Sequence, residues 1–357
     1  MPYRRTTPHP ARPLRTAAAL VLAMSLLAAC SGGGKEKEAA STTTTTTAPA
    51  PVTTAPPVSP LTGLPVTDAD VQSRPALIVK IDNVEPKARP QSGINVADVV
   101  YEERVEGSVT RLLAVYHSTN AAPVGPVRSA RTSDLAIVGA LNRPYYAWSG
   151  ANSTFAQRVR DAPLTDVGYD KATTQYKRSG SRPAPSNLML LDTAEVRRLA
   201  SSAGSGPPAP QFTFRVAGQA PAHLEPIGTV TVSYGTSAGA APVTYTWNGT
   251  GWARTQKGTP HVDADGLQVA PANVIIQFTP YGSSGVNDQF GVPIPEAQLV
   301  GSGEAWVLTA GGLVAARWSK PTLTDVTSYT DVDGKPVALT PGRTWVALPQ
   351  PGGGTRG

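Results

Sequence analysis

Cys30 is the only cysteine among 357 residues, so no disulfide within the chain can hold its fold together. A core that holds by packing alone needs length, and residues 31–60 cannot supply it. Lys35-Glu36-Lys37-Glu38 is a solvated charge run, and Ser41 to Thr47 with the Ala/Pro/Thr stretch behind it is low-complexity sequence. Such a segment buries too little apolar area to offset its ordering entropy, and its prolines extend it into a semi-rigid spacer. From residue 61 onward about 290 residues remain, enough for two domains.

The residues before Cys30 read as an address. Arg4, Arg5, Arg12 and Arg15 form a basic n-region, and Ala17 to Ala29 an apolar stretch of 13 residues, too short for an ordinary membrane span. The stretch ends in Leu27-Ala28-Ala29-Cys30, and small residues ahead of a cysteine resemble the bacterial lipobox. The expectation is a signal peptide over residues 1–29 and a lipid-anchored tether over 30–60, with Cys30 as the diacylated first residue of the mature chain. Two acyl chains are enough for stable anchoring. An uncleaved signal anchor with an incidental cysteine is the competing reading. The n-region arginines account for four of the six net positive charges, which leaves +2 without them. No Lys/Arg-rich run with interleaved aromatics occurs, so no nucleic-acid partner is expected.

Beyond the tether the pattern divides. Ala76 to Ile81, Asp98 to Glu103 and Thr110 to His117 read as strands, the last two joined by a turn at Gly107-Ser108. Helices are predicted from Thr132 to about Leu141, from an Asn152 or Ser153 cap through Arg160, and from a Thr193 cap through Ala200. Ser201 to Pro210 has linker composition. After it come short strands: Thr229 to Tyr234, Val243 to Trp247, Gly251 to Thr255, Asn273 to Thr279, Ala305 to Thr309, Leu313 to Trp318 and Thr344 to Leu348. The fold class read from this order is α+β, with an N-terminal mixed α/β domain over residues 61–200 followed by a mostly β C-terminal domain over 211–349.

Several of these runs carry a family resemblance. Pro60-Leu61-Thr62-Gly63-Leu64-Pro65, Val79-Lys80-Ile81-Asp82-Asn83, Ala88-Arg89-Pro90-Gln91-Ser92-Gly93 and Glu106-Gly107-Ser108-Val109-Thr110-Arg111 are such runs. So are the Gly125 to Arg131 loop, Asp333-Gly334-Lys335-Pro336 and Leu339 to Trp345. Together they resemble the YerB-like lipoprotein family over roughly residues 60–349. The resemblance implies a membrane-anchored, extracytoplasmic protein with paired N- and C-terminal domains of unknown function, and no set of catalytic residues. Similar proteins often carry a histidine-containing segment where this chain has Tyr145-Tyr146-Ala147-Trp148-Ser149-Gly150, so no histidine acts there in this chain.

Chemistry concentrates near Gly125-Pro126-Val127-Arg128-Ser129-Ala130-Arg131, which sets two guanidinium forks three residues apart after an acidic run containing Glu102, Glu103 and Glu106. With Arg111 these groups make either a buried ionic lattice or a ligand site. Glu102 and Glu103 alternate on a strand and so face opposite ways. Lys80, Asp82 and Asn83, with Arg89 after them, end a buried strand, a common ligand position and equally a self-bonded turn. Trp247 and Trp252, flanking Asn248-Gly249, with Tyr245 on the same strand face, read as a glycan platform or as a cross-strand pair. Trp318 and Trp345 are expected in the β core. His117, His223 and His261 show no metal spacing, and His261 to Gly266 resembles a calcium-loop fragment without its closing acid. No cofactor or metal is expected. The reading is a lipid-anchored module that binds a cell-envelope component, a wall glycan or an anionic ligand. Its candidate residues are Arg128, Arg131, Arg111, Glu102, Glu106, Lys80, Asp82, Asn83 and Arg89. The alternative is a wall-glycan hydrolase using Glu102 and Glu106. Nothing in the sequence names a catalytic residue or a protein partner.

Overall fold

In the computed structural model, which describes residues 56–357 apart from 200–202, 217, 236–239 and 289–290, apolar runs from both halves contribute strands to one shared sheet. The expected signal peptide, Cys30 and most of the expected tether lie outside the described residues. The sheet strands from the first half are β1 (Leu77–Asp82), β2 (Val99–Arg104), β3 (Thr110–Tyr116), β4 (Tyr145–Ala147) and β5 (Thr165–Asp166). From the second half come β6 (Thr229–Val232), β7 (Val243–Trp247), β8 (Trp252–Gln256), β9 (Asn273–Gln277), β10 (Gly301–Thr309), β11 (Gly312–Lys320), β12 (Ser328–Thr330), β13 (Thr344–Leu348) and β14 (Gly354–Arg356). The main sheet runs β12-β11-β10-β9-β13-β2-β3-β1-β4-β5, with Glu225–Pro226 added against β11. A smaller sheet runs β8-β7-β6-β14, with Thr259–Pro260 at its edge.

The β1, β3, β9 and β13 runs lack a polar face because they are covered on both sides. Alternation sorts their side chains. Leu77, Val79, Ile81, Leu112 and Ala114 face one core, closed by Val230, Val232, Tyr245 and Trp252 of the smaller sheet. Ile78, Leu113, Val115, Ile275 and Val346 face another core, covered by Ala136, Ile137 and Val138 of helix α2 (Asp134–Gly139). A one-turn helix α1 (Ala69–Ser73) precedes β1. Helices α3 (Ser153–Asp161) and α4 (Thr193–Leu199) follow α2. Asn152 caps α3, its Oδ1 accepting the Phe155 amide at 2.9 Å. For α4 the cap expected at Thr193 is taken by Asp192, which accepts the Ala194 amide at 2.7 Å, while the Thr193 hydroxyl accepts the Ala121 amide.

The α+β order of mixed first half and strand-rich second half is observed. The composition break at residues 201–210, however, is not a break in the sheet. β13 lies parallel between β2 and β9, from Val99 opposite Thr344 to Glu103 opposite Leu348. Residues 61–200 and 211–349 thus share a hydrogen-bonded seam, and Thr54–Gly357 packs as one compact unit.

The Asn248-Gly249 hairpin forms, with Trp247 opposite Trp252 and ring centroids 5.4 Å apart. Trp252 and Tyr245 are sealed in the core, so the cross-strand reading accounts for these rings and the glycan platform does not. Trp318 and Trp345 are in the core as expected. The hairpin of Tyr281–Asn287 with Pro293–Ala297 went unseen in the sequence, because its Gly/Ser/Pro-rich strands show no apolar alternation.

Candidate functional site

The arginine loop is strapped down on three sides. The Arg128 amide donates to the Lys80 carbonyl at 2.9 Å, the Val127 amide to Leu188 at 2.6 Å, and the Ala130 amide to Gly150 at 3.1 Å. Gly125 must be glycine: its φ is +147°, and a Cβ would sit 3.0 Å from the Leu188 carbonyl oxygen. Ser129 and Arg111 meet through a bond from Arg111 Nη1 to the Ser129 carbonyl at 3.1 Å.

The arginines have different partners. Arg131 is buried and donates from Nη2 to both oxygens of Glu106, at 2.6 and 2.7 Å. That pair holds the Glu106 carboxyl below its usual range against the opposing effect of its partial burial. Arg128, with 19 % of its side chain exposed, has Nε 3.0 Å from Asp82 Oδ2 at an angle too poor for a hydrogen bond, so the contact is Coulombic. Asp82 instead accepts the Ser186 hydroxyl at 2.6 Å. Arg111 has no carboxylate within 4.0 Å among the described residues, and its Nε has no partner. Burial first, then the charges of Arg131 and Arg128, push Arg111 down to about 10.

Beneath the loop lies a closed carboxylate–ammonium group. Lys80 Nζ donates to Glu103 and, at 2.7 Å, to Asp134, all fully buried. Asp134 also accepts the Tyr146 hydroxyl at 2.6 Å and the Arg131 amide at 2.7 Å.

Glu102 points the other way, as the alternation rule requires. It does not reach the arginine loop. Arg254 Nη2 donates to both of its oxygens at 2.8 and 3.0 Å, Trp345 Nε1 to Oε2 at 3.0 Å and the Thr110 hydroxyl to Oε1 at 2.8 Å. Arg254 Nη1 bonds His261 Nδ1 at 2.7 Å, and His261 Nε2 bonds Gln91 Oε1 at 2.7 Å. Asn83 donates to Thr110 at 2.6 Å and accepts from Arg89 and Gln91, each at 2.9 Å. Arg89 pairs with Glu85 at 2.6 Å. Asn83 and Arg89 therefore belong to this lattice, Lys80 to the group under the loop, and Asp82 to Arg128. The nine sequence candidates fall into separate groups on two faces of the sheet.

Residues 61–205 match the N-terminal domain described as a protein of unknown function, DUF3048, and residues 230–346 match its C-terminal domain. The chain belongs to the DUF3048 family. It is 27% identical over 300 residues to "Putative lipoprotein YerB" of Bacillus subtilis (strain 168), covering 81% of this chain and 85% of that protein. The crystal structure of the Bacillus subtilis YerB protein superposes with a TM-score of 0.71 at 24% identity, over 84% of this chain and 99% of that one, which shows a shared fold. No helix among the described residues is long and apolar enough to cross a membrane.

Sequence reasoning on this DUF3048 chain missed Arg254, Asp134 and Tyr146. An arginine inside a β-strand, among expected core residues, was the available signal for Arg254. It also missed that His223 approaches Asp333 at 2.9 Å and Asp331 at 4.0 Å. Asp331 Oδ1 accepts the Asp333 and Lys335 amides, which shapes the turn that carries this group. The calcium-like fragment is likewise a turn: Asp263 Oδ1 accepts the Asp265 and Leu267 amides, both at 3.0 Å.

His117 carries a pH prediction. It is 1 % exposed, both ring nitrogens lack partners, and burial with Arg74 and Arg197 nearby pushes it down to about 4. A depressed folded pKa gives stability that is present above the unfolded value near 6.5 and lost as pH falls through 4. The loss amounts to about 3 kcal/mol for a shift of about 2.5 units. His261, pushed down by burial and by Arg254 and Arg89, acts in the same sense. Glu103 opposes them: burial, with Asp134 adding to it against Lys80, raises its carboxyl to about 7. Its contribution is present below about 4.5 and lost as pH rises through 7. His117→Phe should therefore flatten the acid side of the stability curve relative to wild type, measured by urea unfolding at pH 4, 5 and 6.5. Parallel curves for the two proteins would exclude the buried neutral imidazole.

Proposed function

We propose that this is a lipid-anchored, extracytoplasmic protein whose folded part binds an anionic envelope ligand at Arg111, Arg128 and Arg131. The observation that carries the reading is Arg111, a buried guanidinium without a carboxylate partner, beside two further arginines of which Arg128 reaches solvent. Glu106 and Asp82 offset part of the Arg111 charge from beyond ion-pair distance, and an anion would supply the rest. The strapped loop holds the forks in place. The name of the Bacillus relative and the lipobox around Cys30 support the anchor.

The hydrolase alternative needs one carboxyl raised as a proton donor opposite an ionised one. Glu102 is sealed against Arg254 and Glu106 is held ionised by Arg131, so this pair lacks the donor.

Arg128→Lys keeps a charge beside Asp82 and loses the planar fork. It is expected to weaken co-sedimentation with purified cell walls about tenfold, a change of about 1.4 kcal/mol, with little change in melting temperature. Arg131→Lys should behave differently, lowering stability by about 1–2 kcal/mol because Glu106 loses its paired bonds. Wall binding by Arg128→Lys equal to wild type would remove the loop as the site. Cys30→Ala should move the protein from the membrane to the soluble fraction.

A further inference from the structure

The opposite end of the β1/β3 pair carries a second concentration of positive charge that no feature of the loop site explains. Asp82 and Arg111 face each other at one end of this antiparallel pair, and Leu77 and Tyr116 at the other, five residues away along β1. At about 3.3 Å per residue the two ends lie about 17 Å apart. Beyond the Leu77 end is a cavity of about 460 Å³ lined by Arg74, Arg197 and Arg198 together with Asp70, Ser73, Asn120 and Tyr145.

Three helical or cap positions build it. Arg74 is the C-cap of α1, and Arg197 and Arg198 lie in the last turn of α4. Arg197 donates to the carbonyls of Pro75 and Tyr116, both at 2.7 Å, and its Nε has no partner. Arg74 donates to the carbonyl of His117 at 2.7 Å from Nε and to that of Thr119 at 3.3 Å. Carbonyls satisfy donors and orient the guanidinium planes, but they bring no net negative charge. Asp98 is buried and attracts Arg197 from beyond ion-pair distance, whereas the two carboxylates paired with the arginines are in water: Asp70, 3.6 Å from Arg74, has a side chain 78 % exposed, and Glu195, which pairs with Arg198, is 47 % exposed. Water-screened partners offset little of the charge of a buried arginine. Arg197 is pushed down to about 9, by burial first and by Arg74 next, so each of the two cations is unfavourable to the other.

The residues lining the cavity sum to three positive charges and one negative. Glu195, paired with Arg198, brings the balance to a single positive charge, which still suits an anion. Forks arriving from α1 and α4 suit oxygens arranged around a tetrahedral centre better than a single planar carboxylate. The volume exceeds what a bare phosphate fills and falls in the range of small-ligand sites. We infer that this cavity is a separate binding site for a phosphomonoester, with Arg198 and Arg197 clamping the phosphate and Arg74 behind them. Asn120, exposed at the rim, is placed to meet the organic portion.

A soluble ester and a lipid headgroup share this chemistry, so the test uses both. Glycerol 3-phosphate and inorganic phosphate are titrated calorimetrically into the protein, and vesicles with and without phosphatidic acid are tested by flotation. Saturable binding of glycerol 3-phosphate assigns a soluble ester. Binding to phosphatidic-acid vesicles without it assigns a headgroup. Either way Arg198→Gln, a change at an exposed side chain that spares folding, should weaken binding about tenfold, and Arg197→Lys should weaken it further. Arg128→Lys, in the loop cluster, should leave it unchanged. The inference is overturned if neither probe binds at millimolar concentration, if binding survives Arg198→Gln and Arg197→Lys undiminished, or if Arg128→Lys abolishes it. That last result would move the anion to the loop.

Discussion

Glu102→Gln is expected to destabilise the protein by about 3–5 kcal/mol, with a melting temperature lower by about 10 °C. Glu102 and Arg254 are both fully buried, and the carboxylate accepts from Arg254, Trp345 and Thr110 together. Glutamine keeps the shape and can still accept, but it removes the charge. Arg254 is then left as a buried cation beside neutral His261, with Arg89 close behind. The stacking of Arg254 over the Trp345 ring, 5.0 Å from its centroid, cannot replace a full negative charge. Removing both charges tells a different story, because a buried ion pair contributes little beyond its desolvation cost once both partners are gone. Glu102→Gln combined with Arg254→Met should therefore recover much of the loss, and the double-mutant cycle should report strong coupling. A Glu102→Gln protein that melts with wild type, or a double variant no better than the single, would contradict this account of the lattice.

The second large effect concerns the seam between the halves. Separate chains of residues 61–200 and 211–357 are each expected to be unfolded, and the intact chain to lose both halves in one transition. Without β13, β2 exposes a long open edge and the Val100 side of its core; without β2, β13 loses its parallel neighbour on that side and becomes an open edge. Open parallel edges and bared apolar faces leave each half short of the burial that offsets chain entropy. Arg254 and Glu102 lie on opposite sides of the cut, so each fragment would also carry an unpaired buried charge. Cleavage at residues 201–210 of the native protein should give fragments that stay associated through gel filtration. Urea unfolding followed by tryptophan fluorescence and by far-UV circular dichroism should coincide. A chain of residues 61–200 that gives a dispersed amide spectrum by itself would overturn this expectation.

Much of the local structure is legible in the sequence. The Ala76 to Ile81, Thr110 to His117 and Thr344 to Leu348 runs are strands within a residue of where their patterns place them. The Asn152 cap, the Asn248-Gly249 hairpin and the left-handed turn at Gly107 and Ser108 also follow from near-neighbour chemistry. Alternation put Glu102 and Glu103 on opposite faces. The site was only half legible: the loop, its arginines and Glu106 were in the right neighbourhood, but their partners were not.

What the sequence determined by itself is what residues a few positions apart can enforce: strand and helix identity, caps, turns, the low-complexity character of the segment before residue 56, and family membership through contiguous motifs. The tertiary structure alone decided that β13 sits beside β2, that Glu102 meets Arg254 across more than half of the folded chain, and that Arg111 ends without a carboxylate while Arg131 has one. The physical reason is that pairing between distant strands is selected by burying two faces of a sheet at once. No local propensity encodes that choice, and each buried charge takes the partner the closed sheet puts within reach.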